Sequence, residues 1–252
     1  MRSIKELLKK NGPVIGLYIS SSDPSVVEFA DQAGFDFIRI DYEHALLSYS
    51  ELRELVRVAT LIGMYCQVRV SNLHDVTKLL DFGVNGIVVP DVNDVRRARE
   101  AVMATKFYPF GARGMFPIGR CVKTSGEENY GKYVGVANDI VSLTVQIEDV
   151  RATECLDEIA SMEGVDMLAS GKADISQSLG IPGKSTDPRV IDFEKLILDK
   201  AIKHGKQAAL MVGNKKSMNE LFALGCKVFT VGPDEVIIGK AFKDLINEYR
   251  DS

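Results

Sequence analysis

Residues 32–44, QAGFDFIRIDYEH, hold the pattern that decides the fold. A helical segment ends at Gly34, a β-branched and aromatic run follows over Phe35–Ile40, and polar residues crowd its far end at Asp41, Tyr42, Glu43 and His44. A glycine just past a helix takes the left-handed conformation cheaply and turns the chain into a strand. The same junction recurs in LIGMYC at Gly63, DFGVNG at Gly83, MEGVDM at Gly164, KHGKQA at Gly205 and ALGCKV at Gly225. The remaining strand runs are Val14–Tyr18, Tyr65–Val70, Gly86–Val89, Val141–Ile147, Val165–Ala169, Ala208–Val212 and Val228–Val231, making eight in all. Eight short runs alternating with helical periods predict an α/β protein of the (β/α)8 TIM-barrel class, one domain over residues 1–252. A doubly wound open sheet is the alternative. The one long irregular stretch, from Thr105 to Asn138, falls between the fourth and fifth strands, where a lid, binding loop or oligomer contact is expected.

The composition agrees with such a barrel and excludes several functions. With 252 residues, 46% hydrophobic and 26% charged, the chain can enclose a buried site. A net charge of −4 argues against a nucleic-acid surface. No run approaches the ~18 apolar residues of a membrane span, and MRSIKELLKK contains no apolar h-region. Cys66, Cys121, Cys155 and Cys226 form no C-x-x-C pair, so reduced thiols in a soluble, cytoplasmic protein are expected.

In a barrel the chemistry belongs at the C-terminal ends of the strands. There the sequence places Asp41 and His44, Arg69, Gln146 and Glu148, and the run Gly171-Lys172-Ala173-Asp174. In Cys66-Gln67-Val68-Arg69-Val70 the period of two puts the apolar residues on one face, against the helices, and turns Gln67 and Arg69 toward the axis. Glu148 and Asp174, carboxylates on neighbouring strand ends without Cys or His beside them, suit a hard divalent cation; neutralising Arg69, Lys172 or Arg39 is the other reading. His44 is either a structural histidine or a base tuned by Asp41 or Glu43. Arg69 is either an ion-pair partner or a donor fork for a carboxylate or an enolate oxygen. His74 and His204 read as ordinary helix residues.

Asp41-x-Glu43-His44, Arg69, Gln146-x-Glu148, Gly171-x-Ala173-Asp174, the Gly111-x-Arg113-Gly114 loop and Ala173-Asp174-Ile175-Ser176…Leu179-Gly180, in this order from Gly16 to Asp234, resemble the HpcH/HpaI aldolases. These are metal-dependent class II pyruvate aldolases. The resemblance implies a reversible lyase that cleaves a 4-hydroxy-2-oxo acid to pyruvate and an aldehyde. It further implies that Glu148 and Asp174 hold the metal, Mg²⁺ or Mn²⁺ first and Co²⁺ or Zn²⁺ as alternatives. Arg69 would stabilise the enolate, and His44, oriented by Asp41, would act as base. Gln146 would hydrogen-bond near the metal, and backbone N–H groups around Gly171, Ala173 and Asp174 would receive the carboxylate. It also implies that the C-terminal helix exchanges between subunits in a dimer, that three dimers form a homo-hexamer, and that Met115–Ile118 reaches a neighbour's site.

Two departures bear on substrate and metal: Lys172 stands where the family usually has proline, and Tyr42 where it has a smaller or apolar residue. Lys172 is expected to reach substrate at the rim. The alternatives are a Schiff-base, class I-like aldolase using Lys172, an acyl-CoA lyase, for which no basic cluster is evident, and a non-catalytic barrel binding a small carboxylate. Arg39, on the inward face below Asp41, is a buried cation in need of an acidic partner.

Overall fold

The computed structural model describes residues 2–250. Eight parallel strands close into a barrel in chain order: β1 Val14–Ile19, β2 Phe37–Tyr42, β3 Tyr65–Val70, β4 Gly86–Val89, β5 Ser142–Ile147, β6 Met167–Ser170, β7 Gln207–Met211 and β8 Val228–Val231. Closure is direct, since β8 pairs with β1 in register Val14↔Val228. A short α1 (Ile4–Leu7) caps the base. The surrounding helices are α2 (Ser25–Gln32), α3 (Tyr49–Leu61), α4 (Val76–Phe82), α5 (Val95–Thr105), α6 (Arg120–Ser125), α7 (Tyr130–Ile140), α8 (Leu156–Ser161), α9 (Lys172–Ser178), α10 (Pro188–Lys203), α11 (Lys215–Ala223) and α12 (Asp234–Arg250).

All six junction glycines adopt positive φ, from 69° at Gly205 to 109° at Gly83, as the helix-to-strand reversal requires. Two strands begin two residues later than the apolar runs suggest, β2 at Phe37 and β6 at Met167. The residues just before them work as side-chain caps. The Asp36 side chain accepts the Ile15 N–H at 2.9 Å and the Asp166 side chain the Leu143 N–H at 2.8 Å, while their own N–H groups donate to the Ile15 and Leu143 carbonyls, so both close the base of the barrel.

The stretch between β4 and β5 is not irregular. It contains α6 and α7, which close over Phe107, Cys121, Tyr133 and Ala137. Arg113 is buried among them, its guanidinium 4.5 Å from the Phe107 ring centre, bonded to the Tyr133 hydroxyl at 3.0 Å and to Asp81 at 2.8 Å. Helices of 6 and 11 residues rich in Gly, Ser and Tyr have weak intrinsic propensity. Packing around a paired arginine decides their conformation.

Strand alternation separates two cores. Outward residues such as Cys66, Val68, Val70, Val145 and Ile147 join the layer under the helices. Inward residues grade from an apolar base of Val14, Phe37, Tyr65, Met167, Ala209 and Val228 to polar residues above. Near the base, Gly16 has no substitute, because a Cβ there would fall inside the Phe37 ring. Gly16→Ala is expected to lower the unfolding free energy by about 1–3 kcal/mol through overpacking. Urea unfolding measures it, and an unchanged midpoint would show that the Phe37 ring can move aside.

Candidate active site

The inward face turns polar toward the C-terminal ends of the strands. Asp41 ends the inward series of β2 and Arg69 that of β3, directly paired in register. Arg69 Nε and Nη2 donate to the two Asp41 oxygens at 3.0 and 2.9 Å, and Nη2 also donates to the Tyr18 hydroxyl at 2.6 Å. Burial opposes the charge on both partners, but the fork outweighs it, so the Asp41 carboxyl lies below its usual range and the Arg69 guanidinium above its own. Burial pushes the Tyr18 phenol well up, keeping it protonated as a donor.

Asp41 Oδ1 also accepts the backbone N–H groups of Glu43 and His44 at 3.0 and 3.3 Å. Asp41 therefore sets the path of the loop that presents His44. The carboxylate facing the imidazole is Glu43, with His44 Nε2 at 3.6 Å from its Oε2. That oxygen lies 3.2 Å from Arg69 Nε yet is not aligned to accept a hydrogen bond from any described residue. Burial raises the Glu43 carboxyl above its usual range despite the Arg69 charge. The far end of the loop is pinned by a capping box at the start of α3: Ser48 Oγ accepts the Glu51 N–H at 3.3 Å and the Ser48 N–H donates to Glu51 at 2.7 Å.

Across the mouth, Glu148 follows β5. Its carboxylate accepts Gln146 Nε2 at 2.5 Å and the Asp91 N–H at 2.7 Å. Asn93 Oδ1 accepts both the Glu148 and Asp149 N–H groups at 2.9 Å, which fixes the backbone beneath the side chain. Burial raises the Glu148 carboxyl, and the charges of Asp174 and Glu43 add to the effect. Asp174 lies in the first turn of α9, just past the end of β6. Gly171 lets the two segments meet, since a Cβ there would lie 2.7 Å from the Glu148 side chain. The Gly171 N–H is spent on the Ile147 carbonyl at 2.9 Å, so among the three backbone donors named above, Ala173 and Asp174 are left for a ligand.

Lys172 turns into the wall. Its ammonium donates to the Met211 carbonyl at 3.1 Å and lies 3.4 Å from Glu194 of α10, whose other partner is Ser170 Oγ at 2.7 Å. Arg39 is buried without an acidic partner among the described residues, donating instead to Gln67. Burial lowers its guanidinium to about 10. A cleft of about 360 Å³ brings together Arg39, Arg69, Gln146, Gly171, Ala173 and Asp174, with His44 on its edge. A second hollow of about 500 Å³ shares Tyr18, His44 and Arg69 and opens toward Pro233 and Glu235.

Four residues of this site do not figure in the sequence reading: Tyr18, Asp91, Asn93 and Glu194. Tyr18 was within reach, because the period of two carried along β1 turns Gly16 and Tyr18 inward together. The other three lie outside the strands and meet the site only through folding.

A closed (β/α)8 barrel with a histidine beside a glutamate, a guanidinium fork and two further carboxylates at its C-terminal mouth has the layout of an enzyme site. Residues 14–238 match the sequence profile of the HpcH/HpaI aldolase/citrate lyase family, and the chain belongs to that family. It is 33% identical to the hydroxypyruvate/pyruvate aldolase of Deinococcus radiodurans, covering 99% of this chain and 90% of that protein. The HpcH/HpaI aldolase from Desulfitobacterium hafniense superposes with a TM-score of 0.92 at 26% identity, over 100% of this chain and 98% of that one. The citrate synthase SbnG superposes with a TM-score of 0.90 at 30% identity, over 99% and 98%. The chain is a carbon–carbon lyase of the aldolase type. No helix among the described residues is long and apolar enough to cross a membrane.

Proposed function

We propose that this lyase works on a 4-hydroxy-2-oxo acid, releasing pyruvate and an aldehyde reversibly, with a divalent cation between Glu148 and Asp174. The observation that carries the reading is the state of these two carboxylates. Arg69 is committed to Asp41 and Glu43, Lys172 to Glu194, and Arg39 donates to Gln67, while Glu148 and Asp174 have no lysine or arginine partner among the described residues. A Glu148 carboxyl raised by burial, with Asp174 and Glu43 adding to the effect, fits a hard cation, Mg²⁺ or Mn²⁺ before Co²⁺ or Zn²⁺. No three His, Cys, Asp or Glu side chains among the described residues form a cage, which suits a site completed by substrate and water. A cation bound there supplies Lewis acidity toward the 2-oxo acid.

The chain's own groups do the rest. The N–H groups of Ala173 and Asp174 receive the substrate carboxylate, and Gln146 holds Glu148 in place. His44, with Glu43 beside it, takes the proton of the 4-hydroxyl. The C3–C4 bond then breaks, its electrons move toward the C2 oxygen, and the aldehyde departs. Arg69 faces the negative charge that develops, and the proton that His44 took from the 4-hydroxyl passes to C3, which completes pyruvate. Asp41 and Tyr18 occupy Nε and Nη2 of Arg69 and so orient its remaining edge. Arg69→Lys is expected to lower kcat about 10²–10³-fold with little change in KM, because one ammonium cannot keep the Asp41 fork and also meet the substrate. Steady-state kinetics decide, and near-normal turnover would mean that charge alone matters there.

The geometry of Lys172 disfavours the Schiff-base alternative, since a side chain held by Glu194 and the Met211 carbonyl is not free to attack. From the wall it contributes to substrate binding through its charge. Pyruvate proton exchange tests both mechanisms at once. EDTA is expected to abolish exchange, Mg²⁺ or Mn²⁺ to restore it, and borohydride to trap nothing. EDTA-resistant exchange with a pyruvate adduct on Lys172 would overturn the metal mechanism.

The subunit is read as a single-domain chain that assembles with its own copies. Along α12, Val236, Phe242, Leu245 and Tyr249 are exposed, and a groove of about 780 Å³ lies beside the helix against Ile15, Val212, Met218 and Val231. Exchange of α12 between two copies would bury both, and Met115–Ile118, also exposed, would reach a neighbouring site in a trimer of dimers. Light scattering at six subunit masses is the expected result. Four unpaired thiols fit the reducing cytoplasm.

A further inference from the structure

Lys172 stands two residues before Asp174 and lines the same cleft, so its side chain has carboxylates on both sides. Inward lie Asp174 and Glu148, the latter so close that a Cβ on the intervening Gly171 would come within 2.7 Å of its side chain. Outward, in the wall, lies Glu194 of α10. The structure shows the outward choice: Lys172 Nζ is 3.4 Å from both Glu194 oxygens and donates to the Met211 carbonyl at 3.1 Å. Glu194 is 1% exposed and has no other lysine or arginine partner among the described residues. Its Oε1 also accepts Ser170 Oγ at 2.7 Å, so one buried carboxylate holds the residues on either side of Gly171.

The choice has a physical cause. α10 packs against β6, β7 and α9, which sets Glu194 behind the barrel wall. A carboxylate buried there is strongly disfavoured unless a cation meets it, and Lys172 is that cation. Little else restrains the first residue of α9, because Gly171 supplies no side-chain cap. With the Glu194 charge removed, a flexible four-carbon arm is left beside Glu148 and Asp174, which have no basic partner of their own. An ammonium drawn to them opposes a divalent ion across several ångströms of a half-buried site, where charges are screened less than in water.

We propose that Glu194 is a positioning residue for the cation site: acting through Lys172, it keeps that ammonium in the wall and leaves Glu148 and Asp174 free for the divalent ion. The inference rests on the cation reading above.

Mn²⁺ binding, followed by titration calorimetry and by the electron paramagnetic resonance signal of the free ion, tests it. Glu194→Gln, which keeps the size and an acceptor for Ser170, is expected to weaken Mn²⁺ about tenfold or more relative to wild type. Adding Lys172→Met to that variant is expected to return the affinity to within about threefold of wild type. Lys172→Met alone is expected to stay within about threefold as well, because the ammonium it removes is already turned away. A role confined to folding would lower the melting temperature and leave Mn²⁺ affinity unmoved. If the glutamine variant does not fold, Glu194→Asp, which draws the carboxylate back from Lys172 by one methylene, is read in the same way. Full Mn²⁺ affinity without the Glu194 carboxylate, a weakening that Lys172→Met does not reverse, or a tenfold tightening by Lys172→Met alone overturns the positioning role and leaves the cation site standing. A wild type that binds no Mn²⁺ overturns both.

Discussion

Glu148→Ala is expected to bring aldol turnover down to the rate of the buffer, a fall of at least about 10⁴-fold, with the barrel still folded. The size follows from the several kcal/mol that Lewis-acid stabilisation contributes, each 1.36 kcal/mol being about tenfold in rate. The fold should survive because Glu148 stands at the half-buried mouth, and the two donors it leaves, Gln146 Nε2 and the Asp91 N–H, can turn to water. Losing a carboxylate also relieves repulsion from Asp174 and Glu43. Circular dichroism and melting temperature near wild type, with cation binding lost in calorimetry, complete the expected pattern. Unfolding instead would make Glu148 a structural residue, and retained activity would remove the cation site from these side chains.

His44→Ala is expected to slow pyruvate methyl-proton exchange in D2O by about 10²–10⁴-fold, the usual contribution of a positioned general base. Its ring is exposed at the rim with Glu43 at 3.6 Å, while its backbone is tied to Asp41, so the variant should keep the loop path and lose only the imidazole. Substrate binding, measured apart from turnover, should change little. Exchange at the wild-type rate would assign the proton to another group or to hydroxide, and would leave His44 as a surface histidine beside a carboxylate.

Much of this protein was legible along the chain. The six helix-closing glycines mark turns that need positive φ, a local requirement that no distant contact alters, and with the strand runs they were enough for a closed barrel. The period of two sorted Gln67 and Arg69 from Cys66, Val68 and Val70, because pleating places alternate side chains on opposite faces whatever the surroundings. Motif order was enough for the family. Tertiary structure alone decided which charges meet. Arg39 stands two residues before Asp41 on β2 and Arg69 directly across from it on β3; Arg69 takes the Asp41 fork, and Arg39 is left to Gln67. Lys172 turns to Glu194 because α10 packs behind β6, an approach no local pattern records. The helices α6 and α7 form because Arg113 pairs with Asp81 beneath them, not because their residues favour a helix. Backbone geometry follows from neighbours in sequence, whereas the pairing of long polar side chains depends on what the closed barrel brings within a few ångströms.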